Sequence, residues 1–484
     1  MKKIKEWIHT PNSKIVLLLI TAIFGAGKLT GQPVSTRPNI LFIMADDLTM
    51  RDIEPYGSRQ VRTPNLLQLA QEGICMDNMY NLVPVCAPTR QTLLTGLGPV
   101  RNGAYPNHSE IYEGIKTLPV YFKELGYRTA LIGKKHFGPL PSFPFDFLGG
   151  RDGDNGKGQD VDLSKAEQYI SESGDQPFFL MFTSNQPHTP WNRGNRKVYD
   201  PEKIVLAPNM IDTKLTRERM VDYFAEITYL DSLVGYCLNI IDRAGKKDNT
   251  IVIFASEQGN SFPFSKWTLY DQGLRSGFIV RWPGKVQPGT RNEAMVQYTD
   301  ILPTLLDIAG KAPAGINTGS EDTYGNTGFD GVSFKEVLLG KSNHIHNYVF
   351  GINTTRGIIK GSEAYASRSV KNDRYLYIRN LNFKERYANV VTSSPLFKQW
   401  LDADPVRATK YIIRPEEELY DVVNDPWQLT NLAADPGYKK VKQELLKQLE
   451  AFMKQQGDEG IKTEMNALSR QPRHNGDQNS EKDD

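Results

Sequence analysis

Two carboxylates, Asp46 and Asp47, stand side by side at the close of the run "NILFIMADD". Inside a strand, neighbouring side chains point to opposite faces, so the pair can serve one centre only if the backbone turns just past the strand's end. Adjacent like charges repel unless a cation lies between them; the alternative is a solvated acidic loop. A second donor pair, Glu257 and Gln258, follows "TIVIFAS", with Gly259 behind it to permit a tight turn. Carboxylate and amide oxygens are hard donors that suit Ca²⁺ or Mg²⁺ rather than zinc. Lys134, Lys135 and His136 follow "TALIG" and read either as a cluster able to hold an oxyanion or as a basic surface turn. His188 lies between prolines in "SNQPHTPW". Setting aside His9 and His474 near the ends leaves five of the seven histidines, and His136 and His188 are the two in strand-end loops.

The stretch "NLVPVCAPTRQTLLTG" adds a cysteine two positions before a proline and four before an arginine. The chain has three cysteines, an odd count without CxxC spacing, which fits neither a disulfide scaffold nor a zinc site. Cys75 and Cys237 sit in apolar runs and read as buried core thiols. Cys86 instead falls in what reads as a proline-bounded turn.

The elements that must position these residues alternate between strand and helix. "NILFIM" (39–44), "RTALIG" (128–133), "PFFLMFTS" (177–184) and "TIVIFA" (250–255) are continuous apolar runs of strand length, as in strands covered on both faces. Helical periodicity runs through 64–73, 117–126 and 217–245, the two shorter stretches ending at a glycine that can serve as a C-cap. This alternation predicts an α/β fold: a large, parallel-rich sheet with helices on both sides, where ligands bind outside the carboxyl ends of the strands. From about residue 346 the pattern becomes short strands with turns and then a helix at 439–456, a smaller antiparallel sheet plus helix. The expected organisation is a catalytic domain over 33–345, a subdomain over 346–456 and a polar, disordered tail over 457–484.

The 484 residues include 58 Lys plus Arg against 56 Asp plus Glu, a formal charge of +2 that argues against general electrostatic binding to nucleic acid. A basic start and a short apolar core at 15–27 read as a secretory signal peptide within residues 1–32, cleaved between Gly25 and Gln32. That implies a secreted or periplasmic protein. No later segment has the apolar length of a membrane span.

"CAPTR" followed by "LLTG" resembles the C-x-P-x-R signature of type I sulfatases. "PNILFIMADD", "LPVYFKELGYRTALIGKKHFG", "PHTPW", "TIVIFASEQG", "KWTLYDQGLR" and "ELYDVVNDPWQLTNLA" follow in the family's order, and the likeness spans about residues 38–435. The resemblance implies the alkaline-phosphatase-like sulfatase fold. It also implies that Cys86 is oxidised to formylglycine by a dedicated modifying enzyme, and that the hydrated aldehyde attacks the sulfur of a sulfate ester. By the same resemblance, Asp46, Asp47, Glu257 and Gln258, with position 86, match the ligands of one Ca²⁺. Arg90 and His136 match groups at the formylglycine hydrate, Lys134 and Lys266 the lysines on the sulfate oxygens, and His188 a histidine near the ester oxygen.

Relatives usually carry Asp and then Asn or His where this chain has Glu257 and Gln258, so donor types are kept while each reach grows by one methylene. Lys135 replaces the usual Trp. "IGKKHFGP" with "FPFDF", "RNGAYPNH" and the spacing from Gly259 to Lys266 look similar to the heparan N-sulfatase (sulfamidase) branch. That branch implies a sulfated amino sugar in a glycosaminoglycan or related host glycan as substrate, with N- and O-linkage both open, and His108 in the sugar pocket. Two other readings are a phosphomonoester or phosphonate hydrolase of the same superfamily, and a glycan binder without turnover, for which Glu257 and Gln258 are the only support.

Overall fold

The computed structural model describes residues 37–150 and 161–472; the signal-peptide reading and residues 473–484 lie outside it. Eight strands form the main sheet: β1 Asn39–Ala45, β2 Ile74–Tyr80, β3 Arg128–Gly133, β4 Asp146–Gly149, β5 Phe178–Thr183, β6 Thr250–Ser256, β7 Arg275–Arg281 and β8 Thr290–Gln297, in the order β4-β3-β5-β1-β6-β7-β2-β8. From β4 to β6 every pairing is parallel; β7 runs antiparallel to both β6 and β2, so the sheet is mixed.

Alternation explains the continuous apolar runs. Along β1, Leu41, Ile43 and Ala45 enter one hydrophobic core, while Ile40, Phe42 and Met44 enter another on the opposite face. A strand covered on both sides leaves no solvated face for polar residues. The first core takes the long helix Lys214–Arg243, including Cys237, and the second takes Ile301–Ile308. Gly73, expected as a helix cap, is required for another reason: a Cβ there would run into the Val280 carbonyl of β7.

A second, four-stranded antiparallel sheet of β9 Val349–Asn353, β10 Ser367–Lys371, β11 Tyr375–Asn380 and β12 Glu417–Asp421 is ordered β12-β11-β10-β9. The helix Lys439–Gln456 lies on it through Leu445 and Leu449. This matches the smaller sheet and helix expected.

The polar stretch after residue 456 departs from expectation. Residues 457–472 are folded, with a helix at Ile461–Met465 and a 3-10 turn at Ala467–Arg470. Asp458 forms a bidentate pair with the buried Arg368, and Glu464 accepts from the backbone N–H groups of Thr355 (2.8 Å) and Arg356 (2.9 Å). Composition misleads here because the segment is held by hydrogen bonds to buried groups rather than by apolar burial.

Candidate active site

Strand register brings the donors together. Gly133 of β3 pairs with Thr183 of β5, Met44 of β1 with the same Thr183, and Ala45 of β1 with Ser256 of β6, so the four carboxyl ends are level. Just past them stand Lys134, His188, Asp46–Asp47 and Glu257–Gln258. The turn needed after β1 occurs at Asp47, whose φ of 59° is left-handed. A non-glycine residue held there carries strain that the surrounding structure must sustain, and such strain gathers at functional sites. His136 (φ 49°) and His108 (φ 54°) share the feature.

Cys86 is the first residue of the helix Cys86–Thr95, not part of a turn. Pro88 is tolerated because the first turn's N–H groups have no intrahelical partner. All ten residues of this helix are buried. Its polar side chains therefore tie the surrounding loops: Gln91 Nε2 donates to the Ser109 carbonyl (2.8 Å), and the Gly138 N–H donates to Gln91 Oε1 (3.3 Å), bracketing the loops of His108 and His136. Sequence reasoning passed over Gln91.

Position 86 lies where two groups of ligand atoms meet. Asp46, Cys86 and Glu257 offer atoms all within 4.8 Å of one another, as do Asp47, Cys86 and His188. Gln258 Nε2 lies 3.6 Å from Cys86 Sγ and 2.5 Å from Asp47 Oδ1. Around these carboxylates sit the cations. Lys134 Nζ donates to Asp46 Oδ2 (2.6 Å), and Lys266 Nζ to Asp47 Oδ2 (2.9 Å), which also accepts from Ser261 Oγ (2.7 Å) and lies 3.6 Å from His188 Nε2. Arg90 grips both oxygens of Glu257 at 2.7 and 3.1 Å, and its Nη1 donates to the Lys134 carbonyl (3.0 Å). His136 Nε2 and His108 Nδ1 are 3.1 Å apart.

Burial would raise the Asp46 carboxyl, but Lys134, with His188 and Arg90, outweighs it and holds the group well below the usual carboxylate range. Burial pushes Glu257 well up against the pull of Arg90, with the charge on Asp46 adding to the rise. Neighbouring buried carboxyls separate in this way when they cannot both carry charge unaided. Asp46 Oδ1 and Gln258 Oε1 are buried with no hydrogen-bond partner. Hard oxygens left unsatisfied beside paired carboxylates fit a divalent cation.

Above this cluster opens a cleft of about 740 Å³ whose lining includes Lys266, His188, His108 and Ser261, with Trp191 and Trp267. Lys134 is fully buried on Asp46, and Lys135 turns away to lie 4.6 Å from the centre of the Phe147 ring. Ser261 and the tryptophans escaped the sequence reading; the one hint was polar residues between Gly259 and Lys266.

The sulfatase family model matches residues 38–311. This chain belongs to the sulfatase family. The sulfatase is 33% identical over 428 residues to an "Ulvan-active sulfatase" of Formosa agariphila, across 88% of this chain and 82% of that protein. It is 27% identical over 489 residues to the N-sulphoglucosamine sulphohydrolase of Homo sapiens, across 90% of this chain and 95% of that protein. Its fold is also that of a structure solved in complex with its substrate D-glucosamine-2-N,6-O-disulfate (TM-score 0.64, 21% identity, 88% of this chain and 99% of that one). The sulfatase is accordingly a sulfuric ester hydrolase.

Proposed function

We propose that this sulfatase removes sulfate from a sulfated glucosamine or N-acetylglucosamine unit of a glycosaminoglycan or related glycan, outside the cytoplasm. The observation that carries this reading is the position of residue 86, whose ligand atom lies within 4.8 Å of those of Asp46, Glu257, Asp47 and His188, with Gln258 Nε2 at 3.6 Å. Asp46, Asp47, Glu257 and Gln258 would hold a Ca²⁺ ion. A cation there, with formylglycine at position 86, supplies a hydrated aldehyde as nucleophile and offsets the charge of the sulfate group.

The side chains supply the rest. A sulfate ester is anionic, so attack on its sulfur meets repulsion that Lys134 and Lys266 offset in a site with little water. Each ammonium is paired with a carboxylate that a bound cation would engage, leaving it able to face sulfate oxygens. His188, 3.6 Å from Asp47 and lining the cleft, suits protonation of the leaving oxygen or nitrogen. Arg90 neutralises Glu257 and bridges the ends of β3 and β6; His136 would border the hydrate, and His108, 3.1 Å from it, lines the cleft.

The human relative supports an N-sulfated glucosamine and the Formosa relative an ulvan-type glycan, so both belong in the test. Sulfate release is measured on fully modified protein with N-, 3-O- and 6-O-sulfated glucosamines and with ulvan oligosaccharides. The expected result is turnover of one glucosamine regioisomer, with ulvan turnover alone favouring the second reading. Cys86→Ala is expected to abolish release while leaving the unfolding midpoint nearly unchanged, since alanine suits a helix's first turn. Activity retained by that variant overturns the mechanism.

A further inference from the structure

We infer that the outer cleft contains a second anion subsite, formed by Arg219 and Lys360, that reads an acidic substituent on the sugar next to the one being desulfated. The inference rests on the glycan sulfatase reading and extends it from one sulfated ring to a pair of acidic ones.

The first observation is the sign of the lining. Its cations are Lys266, Arg219 and Lys360, joined by His108 and His188, and no aspartate or glutamate lines the cleft among the described residues. In a chain with nearly equal numbers of acids and bases, a wall of one sign concentrates potential for an anionic ligand. Lys266 is committed to the floor, 2.9 Å from Asp47. Arg219 and Lys360 are both exposed and line the cleft without touching the carboxylates at its floor.

The second observation is how these two side chains are held. Arg219 projects from the long helix Lys214–Arg243, and its one ion pair among the described residues is a 3.9 Å contact to Asp222, with half of its side chain exposed. Lys360 makes no side-chain hydrogen bond or ion pair among the described residues. It occupies a tight turn closed by the Ile358 N–H on the Thr355 carbonyl (3.0 Å) and the Gly361 N–H on the Ile358 carbonyl (2.9 Å), with φ of 55°. Glycine or asparagine fits such a position without strain, so a lysine there points to a use for its side chain. The turn is anchored through Glu464, which accepts from Thr355 and Arg356, so Lys360 rests on a built support.

The third observation is the surface between floor and mouth. Trp191 stacks on Phe262 at 5.1 Å and 23°, and both line the cleft with Trp267. Aromatic faces offer a platform for sugar rings, and a 740 Å³ cleft is large for a single ring. The chemistry shared by the ligands that fit is an oligosaccharide with one sulfate at the floor and a second anion, carboxylate or sulfate, at the mouth.

The test compares kcat/KM for sulfate release from four substrates that share the same sulfated reducing or terminal ring. One is the monosaccharide; the others are disaccharides whose neighbouring unit is a neutral hexose, a uronic acid or a sulfated hexose. The acidic disaccharides are expected to exceed the neutral one by roughly tenfold, as for a charge-assisted contact, and the advantage should shrink as salt is raised. Whichever acid gives the larger ratio identifies the source. In Arg219→Gln and Lys360→Gln the ratio of acidic to neutral should collapse, and in Arg219→Lys and Lys360→Arg it should largely return. Equal rates on neutral and acidic neighbours, or an unchanged ratio in the Gln variants, overturns the subsite while leaving the sulfatase reading intact. Failure of all four substrates, monosaccharide included, overturns the glycan reading and the subsite with it.

Discussion

Arg90 holds both carboxylate oxygens of Glu257, at 2.7 and 3.1 Å, with both residues almost wholly buried. Arg90, four positions after Cys86, is thereby linked to the end of β6, 167 positions further along the chain. Removing one partner of such a pair strands the other charge away from water. Arg90→Ala should therefore cost about 3–5 kcal/mol in chemical denaturation. Arg90→Lys should recover part of this, because it keeps the charge and loses the two-pronged geometry. A cost under about 1 kcal/mol for the alanine variant would contradict a structural role for the pair.

Gln258 differs from its neighbour: its Oε1 is buried without a partner, whereas both oxygens of Glu257 are engaged. Chelation should abolish turnover and lower the unfolding midpoint, and added Ca²⁺ should restore both, because a ligand that binds the folded chain alone stabilises it. Gln258→Leu, which removes the oxygen and nearly keeps the volume, should raise the Ca²⁺ concentration for half-maximal stabilisation by at least about tenfold. An identical Ca²⁺ titration in wild type and variant would remove Gln258 from the ligand set.

Asp52 accepts from Tyr223 Oη (3.0 Å) and Asn260 Nδ2 (3.3 Å), and Asn260 begins the loop that carries Ser261 and Lys266 onto Asp47. Burial pushes its carboxyl up from 3.8 to about 6, against the lowering effects of Tyr223, Asn260 and Arg51. A folded value above the unfolded one means that the folded chain holds this proton more tightly. Its contribution to stability is thus full below about pH 4 and is lost as pH rises through about 6. Asp52→Asn keeps the size and an acceptor oxygen but has no proton to lose. Its stability, measured by urea unfolding at intervals from pH 4 to 7, should fall less steeply than that of wild type; parallel curves would refute the assignment.

Asp458 meets a fully buried Arg368 on β10, with Nη2 to Oδ1 at 3.1 Å. Asp458→Ala should destabilise the protein by about 3–5 kcal/mol, read from the denaturation midpoint. The adjoining segment also holds the loop of His108: Tyr105 Oη donates to the Thr463 carbonyl (2.9 Å), and Gln471 Nε2 to that of Asn107 (2.7 Å). Ending the chain at Gln456 should therefore raise KM as well as lower stability, and an unchanged KM would separate this segment from the site.

Local pattern carried the strands, because an element covered on both faces must be apolar throughout, and 39–44, 128–133, 177–184 and 250–255 each lie within a residue or so of a strand that forms. Placing chemistry just beyond their carboxyl ends was equally legible, since polar residues directly after such runs have few other places to go. The residues from 457 to 472 were not legible, because hydrogen bonds to buried partners leave no trace in hydropathy.

By itself the sequence determined which side chains gather: the carboxylates, amide, lysines and histidines at strand ends, and a cysteine set apart from the two in the core. The tertiary structure alone decided their pairings, setting Arg90 on Glu257, Lys134 on Asp46, Lys266 on Asp47 and His108 on His136. Residue types record what a group can donate or accept. Which partner it meets depends on strand register and on left-handed turns such as Asp47, set by contacts between segments distant in the chain, 219 residues apart for Lys266 and Asp47.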